Sequence, residues 1–176
     1  MANVSDMQEL AEPMKIELHK LTDYHTKLRG HLIDYRRSGA LALQRAKHQS
    51  PVKTTLFENG ATLETSISWK STHMATLVAM DDIRLTEDGA ESVALGYIRQ
   101  SGGWTVKRRA RRGEYADWIL EKDGSWCAME VSGVAIGGAS GRLREKVAQV
   151  RRCTLPAVRL AVVVQFESPQ ILAKNV

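Results

Sequence analysis

The stretch RRGEYADWILEKDGSWCAMEVSGVA, Arg111 to Ala135, decides how this chain is read. It contains two β-prone runs, YADWILEK and SWCAMEVSGVA, joined by Asp123-Gly124, a pair suited to the positive φ angles of a two-residue hairpin turn. Alternate side chains of a strand share a face, so Cys127, Met129 and Val131 fall on one side and Ala128, Glu130 and Ser132 on the other. The first set is the expected core face. The hairpin carries Asp117 back towards Glu130, thirteen positions later in the chain. Two carboxylates so placed repel unless a cation lies between them, and their hard oxygens suit Mg²⁺ or Mn²⁺. The plain alternative is an aspartate closing a turn and a glutamate solvated at a strand edge.

The flanks extend the pattern. WTVKRRARR is a third β-like run ahead of the hairpin. Before it, Ala90, Val93, Ala94, Tyr97 and Ile98 mark one face of a helix. Thr86 is its expected N-cap, Glu87 and Asp88 sit in its first turn, and Ser101 to Gly103 end it. After the hairpin, GRLREKVAQVRR is helical, with Leu143, Val147 and Val150 on one stripe and Lys146 bordering it. AVRLAVVVQF is a continuous apolar run, as for a strand buried on both faces. The order is αβββαβ, an α/β fold. GVAIGGASG, between strand and helix, lacks the GKS/T ending of a phosphate loop and reads as a turn.

The N-terminal half is less regular. Met14, Leu18, Leu21, His25, Leu28, Leu32 and Tyr35 step by four and three, which predicts a long helix with a heptad seam. Ser38-Gly39 is the expected break, followed by a short helical piece. Residues 1–48 thus form a helical arm, a possible homodimer contact, and 49–176 an α/β domain with its core at 86–167. Asn59-Gly60 predicts a hairpin between β-prone runs, and HMATLVAMDDIRLT reads as strand or loop. His19, His25 and His31 are expected at the surface or in the seam, and none of the five histidines has metal-ligand spacing.

Composition bounds the rest. No apolar run approaches the roughly 20 residues of a membrane span. The N-terminus carries acids where a signal peptide needs a basic and a greasy region, so a cytoplasmic protein is expected. Cys127 and Cys153 lie in apolar contexts and read as buried free thiols. KRRARR, Lys107 to Arg112, carries five positive charges; the whole chain's net charge is +5, so the remainder is formally neutral. A local patch of this kind fits a polyanion, with Lys107, Arg108, Arg109, Arg111 and Arg112 on phosphates and Arg142 and Arg144 adding charge from the following helix. The alternative is a strand edge guarded by charge.

With Glu91 on the first helix, Gly113 and Asp117 before the second strand and Glu130-Val131-Ser132 in the third, the chain resembles the PD-(D/E)xK nuclease superfamily. It looks closest to the restriction-endonuclease-like and Holliday-junction-resolvase-like branches. The resemblance covers about half the chain, residues 86–167, and its order and spacing carry more weight than any single motif. It implies a restriction-endonuclease-like core that hydrolyses DNA phosphodiesters with Mg²⁺ (or Mn²⁺) held by Asp117, Glu130 and Glu91. Ser132 stands where the family has a catalytic lysine, and Ala116 where it usually has proline. Some branches move the lysine to the following helix, where Lys146 is the candidate. Two other readings stay open: a nuclease-fold protein that binds nucleic acid without cutting it, and a protein-interaction subunit.

Overall fold

The computed structural model describes residues 13–73 and 81–176, so the readings made for residues 1–12 and 74–80 lie outside the described residues. A mixed sheet of eight strands is its centre. The strands are β1 (Met14–Glu17), β2 (Val52–Glu58), β3 (Ala61–Ser68), β4 (Thr105–Arg109), β5 (Trp118–Lys122), β6 (Ser125–Val134), β7 (Val158–Gln165) and β8 (Gln170–Asn175). The helices are α1 (Leu21–Tyr24), α2 (Arg29–Arg45), α3 (Asp82–Gly102) and α4 (Ser140–Val150), with a single 3₁₀ turn at Leu18–Lys20. In space the strands run β1-β3-β2-β8-β7-β6-β5-β4. From α3 to β7 the chain follows the order helix, three strands, helix, strand.

The layers follow from the alternation in β6. Cys127, Met129 and Val131 join α2, α3 and the odd face of the sheet in the main core, whereas Ala128 packs with Ile119, Val147 and Val150 beneath α4. β7, apolar throughout its centre, is buried on both faces from Leu160 to Gln165. Both glycine hairpins form as expected, with φ of 49° and 91° at Asn59-Gly60 and 47° and 78° at Asp123-Gly124. The two cysteines are free and buried. Among the described residues no helix is long and apolar enough to cross a membrane.

The N-terminal segment differs from the expected arm. Met14 to Glu17 is an edge strand paired in parallel with β3, and the helix proper begins only at Arg29. The four-three spacing arose because a strand, a 3₁₀ turn and two helices each turn apolar residues inward. Leu18, Leu21, His25 and Leu32 are all fully buried within this chain, so these positions of the expected heptad seam are covered by the chain itself. Nor does Ser38-Gly39 break the helix: α2 runs through it, because α3 crosses so closely that a Cβ on Gly39 would lie 2.3 Å from Ser92 Oγ. α3 also starts earlier than expected. Asp81, not Thr86, is its N-cap, accepting from the N–H groups of Ile83 and Arg84 at 2.8 and 3.1 Å. Thr86 lies inside the helix and donates back to the Asp82 carbonyl at 2.8 Å.

Candidate functional site

β5 and β6 part at the two acids. Their register pairs Trp118 with Met129, and one step further sets Asp117 opposite Glu130. Past this point the edge of β6 meets side chains in place of a strand. Asp117 Oδ2 accepts the Val131 N–H at 2.8 Å, and Glu87, on α3, accepts the Gly133 N–H at 3.0 Å and the Ser132 hydroxyl at 3.1 Å. α3 comes this near because residue 133 has no side chain: a Cβ there would sit 2.3 Å from the Thr86 carbonyl oxygen.

Glu130 is not solvated. Only 1% of it is exposed, and Lys146 reaches down from α4 to place Nζ 2.7 Å from Oε1. The other oxygen, Oε2, is buried without a hydrogen-bond partner among the described residues. Burial pushes the Glu130 carboxyl above the ordinary range, the Asp117 charge pushes the same way, and Lys146 opposes both. The position bordering the Leu143/Val147/Val150 stripe explains this reach, because such a side chain can fold under its helix towards the sheet.

Glu91 faces the other side of the sheet. It is 8% exposed, its Oε2 accepts from the Trp118 indole N–H at 2.8 Å, and the same oxygen is ion-paired with Arg109. Burial raises its pKa to about 7, against the pull of Arg109, and the Asp117 charge adds to the rise. Asp117 therefore lies electrostatically between two carboxylates, each with its own cation: Glu130 with Lys146, and Glu91 with Arg109.

The expected phosphate contacts divide. Lys107 pairs with Glu121 at 2.9 Å, Arg108 with Glu114 through both guanidinium nitrogens at 2.7 Å, and Arg142 with Glu145 at 3.0 Å. Arg111, Arg112 and Arg144 are exposed and make no ion pair among the described residues. Sequence reading missed Glu87 as a site residue. Its one signal was its spacing, a helical turn before Glu91 on the same face.

No protein-family model, no curated protein and no solved structure matches this chain. A functional reading therefore rests on the residues themselves.

The fit to a divalent ion is a matter of donors. Among the described residues no group of three or more His, Cys, Asp or Glu side chains is placed to hold a metal. Asp117 and Glu130 are two hard-oxygen donors, and the unpartnered Glu130 Oε2 is an acceptor without a cation. Mg²⁺ is commonly held by one or two carboxylates with water and substrate phosphate completing its shell, so the pair fits Mg²⁺.

Proposed function

We propose that this chain is a Mg²⁺-dependent, nuclease-type hydrolase of DNA phosphodiesters with a restriction-endonuclease-like core. Asp117 and Glu130 hold the ion, and Lys146 stands in for the lysine that Ser132 replaces. The observation that carries the reading is the Lys146 ammonium 2.7 Å from a buried glutamate whose strand register faces it with a second acid. An ion bound there supplies an activated water and stabilises charge on the phosphate. The Val131 N–H fixes the Asp117 carboxylate, and Lys146 favours the ionised form of Glu130 despite its burial. Ser132 donates its hydroxyl to Glu87, and as a neutral group provides no substitute for the lysine charge. Arg111, Arg112 and Arg144 are exposed cations available to the phosphate backbone.

A non-catalytic nucleic-acid-binding protein on the same fold is the second reading, favoured by the engagement of Glu91 with Arg109 and Trp118. One experiment separates them: cleavage of labelled duplex, single-stranded and branched DNA in Mg²⁺ or EDTA by wild type, Asp117→Asn and Glu130→Gln. Cleavage only in Mg²⁺, reduced about a hundredfold or more in both variants, is expected from the several kcal/mol a metal contributes at a phosphoryl oxygen. Equal cleavage by all three proteins would remove the site assignment. Salt-sensitive binding in EDTA with no cleavage by wild type would establish the second reading instead.

A further inference from the structure

Two cations of the KRRARR run lie over an indole, Lys107 on Trp126 and Arg109 on Trp118, and Arg109 is the one with a guanidinium fork on a fully buried ring. Its guanidinium lies 4.4 Å from the ring centre of Trp118 and 5.9 Å from that of Tyr35, and those two rings meet edge to face at 5.6 Å. Trp118 is fully buried, so one face of the guanidinium rests on a rigid wall. Glu91, itself fixed by the Trp118 indole N–H at 2.8 Å, pairs with Nη1. A guanidinium has five N–H donors in a planar fork. Among the described residues Glu91 is its sole hydrogen-bond acceptor, and the side chain remains 43% exposed. Asp117 is close enough to act on the charges of both Arg109 and Glu91. An oriented cation with unfilled donors, stacked on an indole and within electrostatic reach of Asp117, is built to receive an anion with two oxygens.

We propose that Arg109 is the phosphate-binding arginine of this site and that Glu91 is its positioning residue, not a ligand of the metal. The inference rests on the nucleic-acid reading above. It assigns to Arg109 a contact with a substrate phosphate on the Glu91 side of Asp117. Glu91 and Trp118 hold the fork in one orientation before substrate arrives, which lowers the ordering cost of binding. Lys107 also lies over a ring, Trp126, but its compact ammonium has no fork and pairs with half-buried Glu121. Among the described residues Arg108 has no ring beneath it and gives both terminal nitrogens to Glu114, and Arg152 stacks on the partly exposed Tyr115 with no carboxylate to orient it. None of them repeats the Arg109 geometry.

The test uses the full chain and a fluorescein-labelled DNA duplex, with binding followed by anisotropy in EDTA and cleavage by titration of Mg²⁺. Arg109→Lys keeps the charge and loses the fork; it is expected to weaken binding or raise KM on the order of tenfold, the loss typical of a charged hydrogen bond. Glu91→Gln is expected to raise KM while leaving the Mg²⁺ concentration for half-maximal cleavage within about twofold, whereas Asp117→Asn shifts it, as loss of a carboxylate ligand should. Thermal melts confirm that each variant is folded, and Arg109→Gln serves as a second substitution should Arg109→Lys repair itself through the remaining charge. A Glu91→Gln protein that needs far more Mg²⁺ with unchanged KM would make Glu91 a metal ligand and overturn the assignment. So would wild-type affinity in both Arg109 variants. Arginine-dependent binding without any wild-type cleavage would sink the hydrolase reading and leave this one standing. Cleavage indifferent to Arg109 would do the reverse, and wild type that neither binds nor cleaves at low salt would remove both.

Discussion

Removing the Lys146 ammonium leaves Glu130 buried with no cation among the described residues within hydrogen-bond reach. Its carboxyl already titrates above the ordinary range because of burial and Asp117, and without Lys146 it must rise further. A group whose folded pKa is raised stabilises the fold below its unfolded pKa and loses that contribution as pH climbs through the folded value. Lys146→Met should therefore resemble wild type in acid, where Glu130 carries a proton in both proteins. Towards alkaline pH the gap should widen to about 3 kcal/mol, the usual cost of a broken buried pair. Urea unfolding of both proteins at several values from pH 4.5 to 8.5 measures it, and a gap independent of pH would mean that Lys146 does not govern Glu130. The same side chain shows how far this site was legible. The stripe in α4 marked Lys146 as a border residue, but no local pattern says which strand residue a border lysine reaches. That depends on the packing of α4 over β6.

Between elements, closeness of backbones sets the site. α3 approaches β6 at Gly133, and the approach lets Glu87 cover the edge of the strand that β5 has left. An added methyl would meet the Thr86 carbonyl at 2.3 Å, and a backbone oxygen inside a helix cannot step aside as a side chain can. Gly133→Ala is expected to lose about 3 kcal/mol of stability, at the upper end of overpacking costs. Gly138→Ala, with nothing within 4 Å of its Cβ, should stay within about 0.5 kcal/mol of wild type. Comparing their urea midpoints decides the matter, and equal midpoints would show that α3 shifts freely. The elements around this contact were readable because each declares itself locally: turn residues at Asp123-Gly124, a helical face from Ala90 to Ile98, an apolar run in β7. The segment from Met14 to Tyr35 misled for the opposite reason. Its burial comes from pairing with β3, about fifty residues later, and from contact with α3, neither of which leaves a local period.

At the scale of the whole molecule, the N-terminal segment is joined to the αβββαβ part by a histidine. His25 follows α1 and is fully buried, with Nε2 3.1 Å from the Leu95 carbonyl of α3 and Nδ1 3.1 Å from the Val106 N–H of β4. An N–H can only donate, so Nδ1 accepts and the proton resides on Nε2, which donates to Leu95. Burial penalises a charge on the ring, against the hydrogen bond to Leu95 and with the added repulsion of Arg99, and the pKa falls from 6.5 to about 4. A second proton would also occupy Nδ1 and break the bond to β4. For a depressed histidine the contribution is complete above the unfolded value of 6.5 and is lost as pH drops towards 4, since the unfolded chain binds the extra proton. Such a shift corresponds to about 3 kcal/mol at most, at 1.36 kcal/mol for each pH unit. Wild type should accordingly lose stability across that window with a slope steeper by about one proton than His25→Asn, which has no titrating ring. The difference in unfolding free energy between the two should shrink steadily from pH 7 to pH 4. Parallel curves would mean that the ring is protonated in the native state without cost, and that α1, α3 and β4 are not held together through its neutral form.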